Sequence, residues 1–166
     1  MGDDDKRGML RHFLAALAYR TQKAVRGAPA DFAEFEAGNL SRTPIELVRH
    51  MTSVLGYART FFRAGQYRPE PLPTFQEELG RFHAMLDDLS THLQASDPLA
   101  DLSLEQLLQG PFSDAMTHAG QLALLRRLHG SPVPPEDFVF ADVSPSNLGQ
   151  HQPEPRAPDP EWPERL

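Results

Sequence analysis

Apolar residues recur at helical spacing in four long segments of the chain. In each segment an apolar side chain returns every three or four residues, which is the pattern of a helix with one buried face. The segments are Gly8 to Arg26, Thr43 to Ala64, Thr74 to Leu93 and Pro111 to His129. No region is rich in predicted strands. The pattern therefore predicts an all-α fold, a four-helix bundle.

Capping residues mark where several of these helices begin and end. The runs TPIE from Thr43 and TFQE from Thr74 each place glutamate three residues after a threonine, which is a capping box. The last helix is predicted to begin at Pro111 and to end before Gly130, a usual pair of start and stop residues. Alternate prolines from Pro69 predict an extended crossover before the third helix.

Two shorter helices are predicted in the connections, at Phe32 to Ala37 and at Leu102 to Gln109. With the four long helices they make residues 1–149 a single bundle domain. Residues 150–166 carry five prolines, a composition that resists both helix and sheet. We expect this extended tail to pack on the domain or on a neighbouring subunit, with Trp162 as its anchor.

Composition narrows the classes of function. The 166 residues include no cysteine, so a metal site must use nitrogen and oxygen ligands. The formal net charge is -7, from 23 acidic and 16 basic residues, which argues against a nucleic-acid partner. No apolar run reaches the roughly 20 residues of a membrane span, and the acidic start does not resemble a signal peptide. A cytoplasmic location is therefore expected.

Three residues stand out as candidates for metal chemistry. Asp114 and His118 are four residues apart, so they lie one above the other on one helix face, as a surface pair or as two ligands of one ion. His50 falls within the apolar face of the second helix, where it is either a hydrogen-bonded core histidine or a ligand. His83, at the edge of the third helix's apolar seam, is a further ligand candidate. Gln121 follows His118 by one turn.

Two runs resemble a known family. They are RTPIELVRHM from Arg42 and GPFSDAMTHAGQLALLRRLHGSPV from Gly110, and they are similar to the DinB-like (YfiT-like) superfamily of four-helix-bundle metalloenzymes. The resemblance extends from the first helix to about Gly149. It implies that a histidine of the second helix joins an acid or histidine and a second histidine of a later helix around one divalent metal.

Those positions fall on His50, Asp114 and His118. Many members carry histidine where this chain has Asp114, whereas the mycothiol-dependent isomerase branch has a carboxylate there. Two imidazoles and one carboxylate suit zinc with an open fourth position, and also nickel, iron or manganese. Gln121 would then orient a ligand or the bound water through a hydrogen bond, or it is a solvated glutamine on the helix surface.

The resemblance implies a metal-dependent enzyme that hydrolyses a small substrate or transfers a low-molecular-weight thiol, and it implies a homodimer. The alternative is a dimeric metal-binding or stress-response bundle without turnover. A fourth protein ligand such as His83 would favour that alternative, because a site closed by protein ligands is structural.

Overall fold

The structure, a computed structural model, describes residues 2–158. These residues form an all-helical protein without a β-strand, apart from an isolated antiparallel bridge between Glu136 and Pro158. The predicted all-α class is therefore confirmed. None of the described helices is long and apolar enough to cross a membrane. Within this range the five α-helices are α1 (Asp3–Val25), α2 (Pro44–Arg59), α3 (Phe75–Gln94), α4 (Leu104–Leu107) and α5 (Ser113–Leu128).

The four long helices pack around one core. α1 lies against α3 and α5, and α2 lies against the same two helices, so that the contacts close a ring. Each long helix contributes fully enclosed apolar side chains, among them Leu17, Met51, Leu86 and Leu122. Enclosing one such side chain contributes roughly 1.5–3 kcal/mol of hydrophobic free energy. The arrangement is consistent with a four-helix bundle, and it places α2 beside α5.

Capping boxes start α2 and α3 at the predicted residues. The Thr43 hydroxyl accepts a hydrogen bond from the Glu46 N–H at 3.5 Å, and the Glu46 carboxylate accepts one from the Thr43 N–H at 2.9 Å. Thr74 and Glu77 make the same pair of bonds at 3.2 and 3.0 Å. Because α2 begins at a defined residue, His50 has a defined place in its second turn.

α2 is shorter than predicted and ends at Arg59 instead of Ala64. The N–H of Phe61 bonds the carbonyl three residues back at 3.2 Å, and the Thr60 hydroxyl donates to the Tyr57 carbonyl at 2.7 Å. These bonds tighten the chain into turns, which ends the α-helix although apolar residues continue at helical spacing.

The segment before α5 also differs from the prediction. The predicted helix Leu102–Gln109 is divided between α4 and a π-helical turn, Leu108–Phe112. Gly110 inside that turn has φ -95° and ψ -107°, and Pro111 has no N–H to donate. The regular helix therefore begins at Ser113, two residues later than predicted.

The limits of two other helical segments also differ from the prediction. α1 begins at Asp3 instead of Gly8, because aspartates occupy its first turn, where carboxylates interact favourably with the helix dipole. The predicted short helix Phe32–Ala37 is a 3-10 turn at Ala30–Glu34. Its fully buried Phe32 joins the core.

The described part of the C-terminal segment lies on its own domain. The Arg26 guanidinium donates to the Gln152 carbonyl at 2.6 Å and pairs with Glu154 at 2.9 Å. The Gln152 amide donates in turn to the Gly149 carbonyl at 2.8 Å. Trp162 lies outside the described residues, so its anchoring role stays a prediction.

Candidate metal centre

His50, Asp114 and His118 meet where α2 packs against α5. One nitrogen or oxygen of each residue lies within 4.8 Å of those of the other two. His50 comes from α2, and the other two share one face of α5 because they are four residues apart. The structure thus brings together the three residues predicted as ligands. Within residues 2–158 no other group of three such side chains could hold a metal ion.

The spacing of these side chains suits a single ion. The rings of His50 and His118 meet edge to face, with centroids 4.7 Å apart and planes at 74°. Nε2 of His118 lies 3.4 Å from Oδ1 of Asp114. A tetrahedral ion with bonds of about 2.1 Å holds its ligand atoms about 3.4 Å apart. Small side-chain rotations would therefore bring all three ligand atoms to one ion.

A hydrogen bond at Nδ1 of His118 fixes the orientation of the ring and therefore of Nε2. Nδ1 of His118 donates a hydrogen bond to Oε1 of Gln121 at 2.8 Å, so Nε2 carries the lone pair. Nε2 is buried and has no hydrogen-bond partner among the described residues. Leaving a buried polar atom unpaired costs about 1–3 kcal/mol, so it calls for an explanation. A cation at this position would supply the missing partner, and the donor set therefore fits a metal.

His50 is held in the neutral form that metal binding requires. Its pKa is lowered first by burial and then by the positive charge of Arg42, while Asp114 acts in the opposite direction. No carbonyl or carboxylate among residues 2–158 hydrogen-bonds the His50 ring, which instead contacts the His118 ring edge to face. Among the described residues, His50 is therefore not the hydrogen-bonded core histidine that was the alternative prediction.

Asp114 opens the site to solvent. Its side chain is 50 % exposed, compared with 11 % for His118. It lies in the first turn of α5, where the helix dipole favours a carboxylate. The described residues add no fourth histidine or carboxylate to the group. Three protein ligands at the protein surface leave room for a water or substrate molecule at the metal.

His83, predicted as a further ligand, is not brought to this group. It lies on α3 with its ring buried, and its Nδ1 is 2.6 Å from the Leu148 carbonyl oxygen. Burial lowers the pKa of this histidine, and the hydrogen bond to Leu148 partly opposes that effect. Leu148 belongs to the non-helical chain that follows α5, and a contact with that part of the chain cannot be predicted from helix periodicity.

His92, also on α3, is buried as well. Its ring stacks on Phe62 with centroids 5.1 Å apart, and its Nδ1 lies 2.5 Å from Oδ2 of Asp97. The turns that end α2 place Phe62 there, and the loop after α3 brings back Asp97. Neither contact follows from the position of His92 on its own helix.

Sequence reasoning missed Arg42, which acts on the metal centre through its charge. It directly precedes the N-cap Thr43, and its positive charge lowers the pKa of His50. The sequence does show that Arg42 begins the RTPIELVRHM run and lies eight residues before His50.

The chain was compared with protein-family models, with curated proteins and with solved structures, and none of the three comparisons found a match.

Proposed function

We propose that this protein is a divalent-metal-dependent enzyme of the DinB-like superfamily, in which His50, Asp114 and His118 bind one ion. The observation that carries the proposal is the buried, unpaired Nε2 of His118, which lies within reach of the other two ligand atoms. Zinc or nickel suits two imidazoles and one carboxylate, and iron or manganese also accepts this set.

The proposed reaction is hydrolysis of a small substrate or transfer of a low-molecular-weight thiol. A divalent ion in this site would supply Lewis acidity, which polarises a carbonyl group and lowers the pKa of a water or a thiol. Gln121 holds the His118 ring in one orientation through the bond to Nδ1. The exposed side of Asp114 leaves a path for the substrate.

The three-ligand set favours an enzyme over the alternative of a non-catalytic, dimeric metal-binding or stress-response protein. Structural metal sites are usually closed by four protein ligands, whereas catalytic sites keep a position for water or substrate. His83, the side chain predicted to close the site, instead bonds the Leu148 carbonyl.

Metal titration of chelator-treated protein tests the site. We expect zinc, nickel, iron(II) or manganese to bind at one ion per chain, and His50→Ala, Asp114→Ala and His118→Ala each to weaken binding at least a hundredfold. His12→Ala is the matched control, because His12 is exposed on α1 and lies outside the group. A parent protein that binds none of the four ions would overturn the proposal.

Turnover separates the enzyme from the binding protein. The metal-loaded parent, the metal-free parent and the Asp114→Ala variant are compared on ester and amide substrates and on thiol-acceptor pairs. Activity that requires both the metal and Asp114 is the expected result. Stoichiometric metal binding without activity in any of these reactions would favour the non-catalytic alternative.

A further inference from the structure

A groove of about 590 Å³ lies beside the metal centre. One wall is formed by α5, through Gln121, Leu124 and Leu128, and the other by the connection before α2, through Leu40 and Arg42. Its volume lies within the roughly 300–1,000 Å³ of pockets that bind small molecules. The groove is large enough for a substrate.

The groove reaches the metal centre through Gln121. Gln121 lines the groove and accepts the hydrogen bond from His118. Arg42 also lines the groove, and it directly precedes Thr43, the N-cap of the helix that carries His50. A molecule lying in the groove would therefore have one end next to the proposed metal ligands.

The far part of the groove exposes apolar surface. Leu124 and Leu128 are 54 % and 57 % exposed, and Leu40 is fully exposed. Leu40 also has a φ of 60°, in the left-handed region that branched residues rarely adopt. Grouped apolar side chains that remain in water are typical of a surface that binds another molecule.

The lining of the groove includes a cation. Arg42 is exposed and forms no ion pair with the described residues. A guanidinium stays protonated and binds carboxylates through paired N–H donors. In a protein of net charge -7, this cation provides a local attraction for an anionic group.

We infer that the groove binds the substrate of the metal centre, and that this substrate is an amphipathic carboxylate. Its acyl or alkyl chain lies against Leu40, Leu124 and Leu128, and its carboxylate lies near Arg42. The inference rests on the proposed function, since it names the class of molecule on which the metal centre acts.

Calorimetry with octanoate on metal-free protein tests the groove separately from the metal. Octanoate binds at least tenfold more tightly than butanoate, because four more methylene groups contact the leucines. The double variant Leu124→Gln/Leu128→Gln weakens octanoate at least tenfold. Met9→Gln, which replaces an exposed apolar side chain on α1, leaves the affinity unchanged.

A charge comparison tests the role of Arg42. Arg42→Gln weakens octanoate about fivefold or more, while the affinity for uncharged octanamide stays the same. Arg63→Gln is the matched control, because Arg63 is an exposed arginine outside the groove. Equal losses for octanoate and octanamide would contradict a carboxylate at this position.

The orientation of the ligand is measured with manganese, which is paramagnetic. In manganese-loaded protein, the octanoate protons next to the carboxylate relax faster than those of the terminal methyl group. The reverse order would place the chain at the metal and overturn the inference.

The outcomes distinguish this inference from the proposed function. If metal binds but octanoate does not, or if the double variant binds octanoate like the parent, the groove inference is wrong and the metal site stands. A dimeric parent that the double variant converts to monomer, with octanoate bound by neither, makes the groove an interface between two copies and also overturns it. If no ion binds, the proposed function is wrong, and the groove is not the substrate site of a metal centre.

Discussion

The metal centre and the cluster around Glu136 both hold polar groups in the protein interior, but only one of them is fully paired. The Glu136 side chain is completely buried, and it accepts a hydrogen bond from the Tyr19 hydroxyl at 2.6 Å and pairs with Lys23 at 2.8 Å. Burial and this bond raise the pKa of Tyr19. In the metal centre, by contrast, Nε2 of His118 is buried without a partner.

The difference separates a structural cluster from a candidate site. A buried group whose hydrogen bonds are complete has no capacity for a ligand, and its removal affects folding. A buried group that lacks a partner costs free energy, and Nε2 of His118 can recover it by binding an ion because two other ligand atoms lie within reach. The Glu136 cluster should therefore govern stability, and the His118 group should govern affinity.

Removing Glu136 gives the largest expected effect on stability. Glu136→Ala leaves Lys23 and Tyr19 without their shared partner, and we expect the free energy of unfolding to fall by about 3 kcal/mol. Urea denaturation measures the loss, and zinc titration should show unchanged affinity. Glu34→Ala, at an exposed position, should change stability by less than about 0.5 kcal/mol. A zinc affinity that falls together with stability would show that the Glu136 cluster also supports the metal centre.

Removing the Gln121 amide should lower metal affinity without lowering stability. Gln121→Leu keeps all three ligands but frees the His118 ring, so metal affinity should fall about 10- to 100-fold, while the stability of the metal-free protein changes little. Calorimetric titration measures the affinity. Gln94→Leu, an exposed position on α3, is the matched control. Equal affinities in Gln121→Leu and the parent would show that this contact does not orient the ligand.

The smallest expected effect is a pH dependence at His83. Burial lowers its pKa in the folded protein below the ordinary value of about 6.5, so the unfolded chain binds more protons between those two pKa values. Stability should therefore fall as pH drops below about 6.5, by at most about 1.4 kcal/mol per pH unit from this residue.

His83→Asn tests this dependence because it keeps a donor for the Leu148 carbonyl and does not titrate. Urea denaturation from pH 7.5 to 5 should show a shallower loss of stability in the variant than in the parent. His12→Gln, at an exposed position on α1, should leave the slope unchanged. Parallel pH profiles for parent and His83→Asn would show that His83 is not the responsible group.

The fold was predictable where local chemistry decides the structure. The capping boxes at Thr43 and Thr74 start their helices at the predicted residues, because the bonds that form them join groups three residues apart. Helix ends were less predictable. The end of α2 at Arg59 and the turn around Gly110 depend on how the chain enters the next connection.

The candidate site was predictable in part for the same reason. The four-residue spacing of Asp114 and His118 placed them on one helix face, and Gln121, three residues further along, reaches the same ring. His50 is different. Helical periodicity places it on the apolar face of α2, but it does not predict which residue of another helix faces it. Its assignment required the resemblance to a family, and its position beside His118 is a tertiary contact.

The all-helical class, the capped helix starts and the shared face of Asp114 and His118 follow from the amino-acid sequence alone, because each depends on residues within four positions of one another. The tertiary structure decided which histidines meet. The packing of α2 on α5 brings His50 to His118, and the chain after α5 brings the Leu148 carbonyl to His83. It also formed the groove between Arg42 and Leu128, which lie far apart in the chain. These contacts join distant residues, and they form because packing the apolar faces together lowers the free energy of the whole chain.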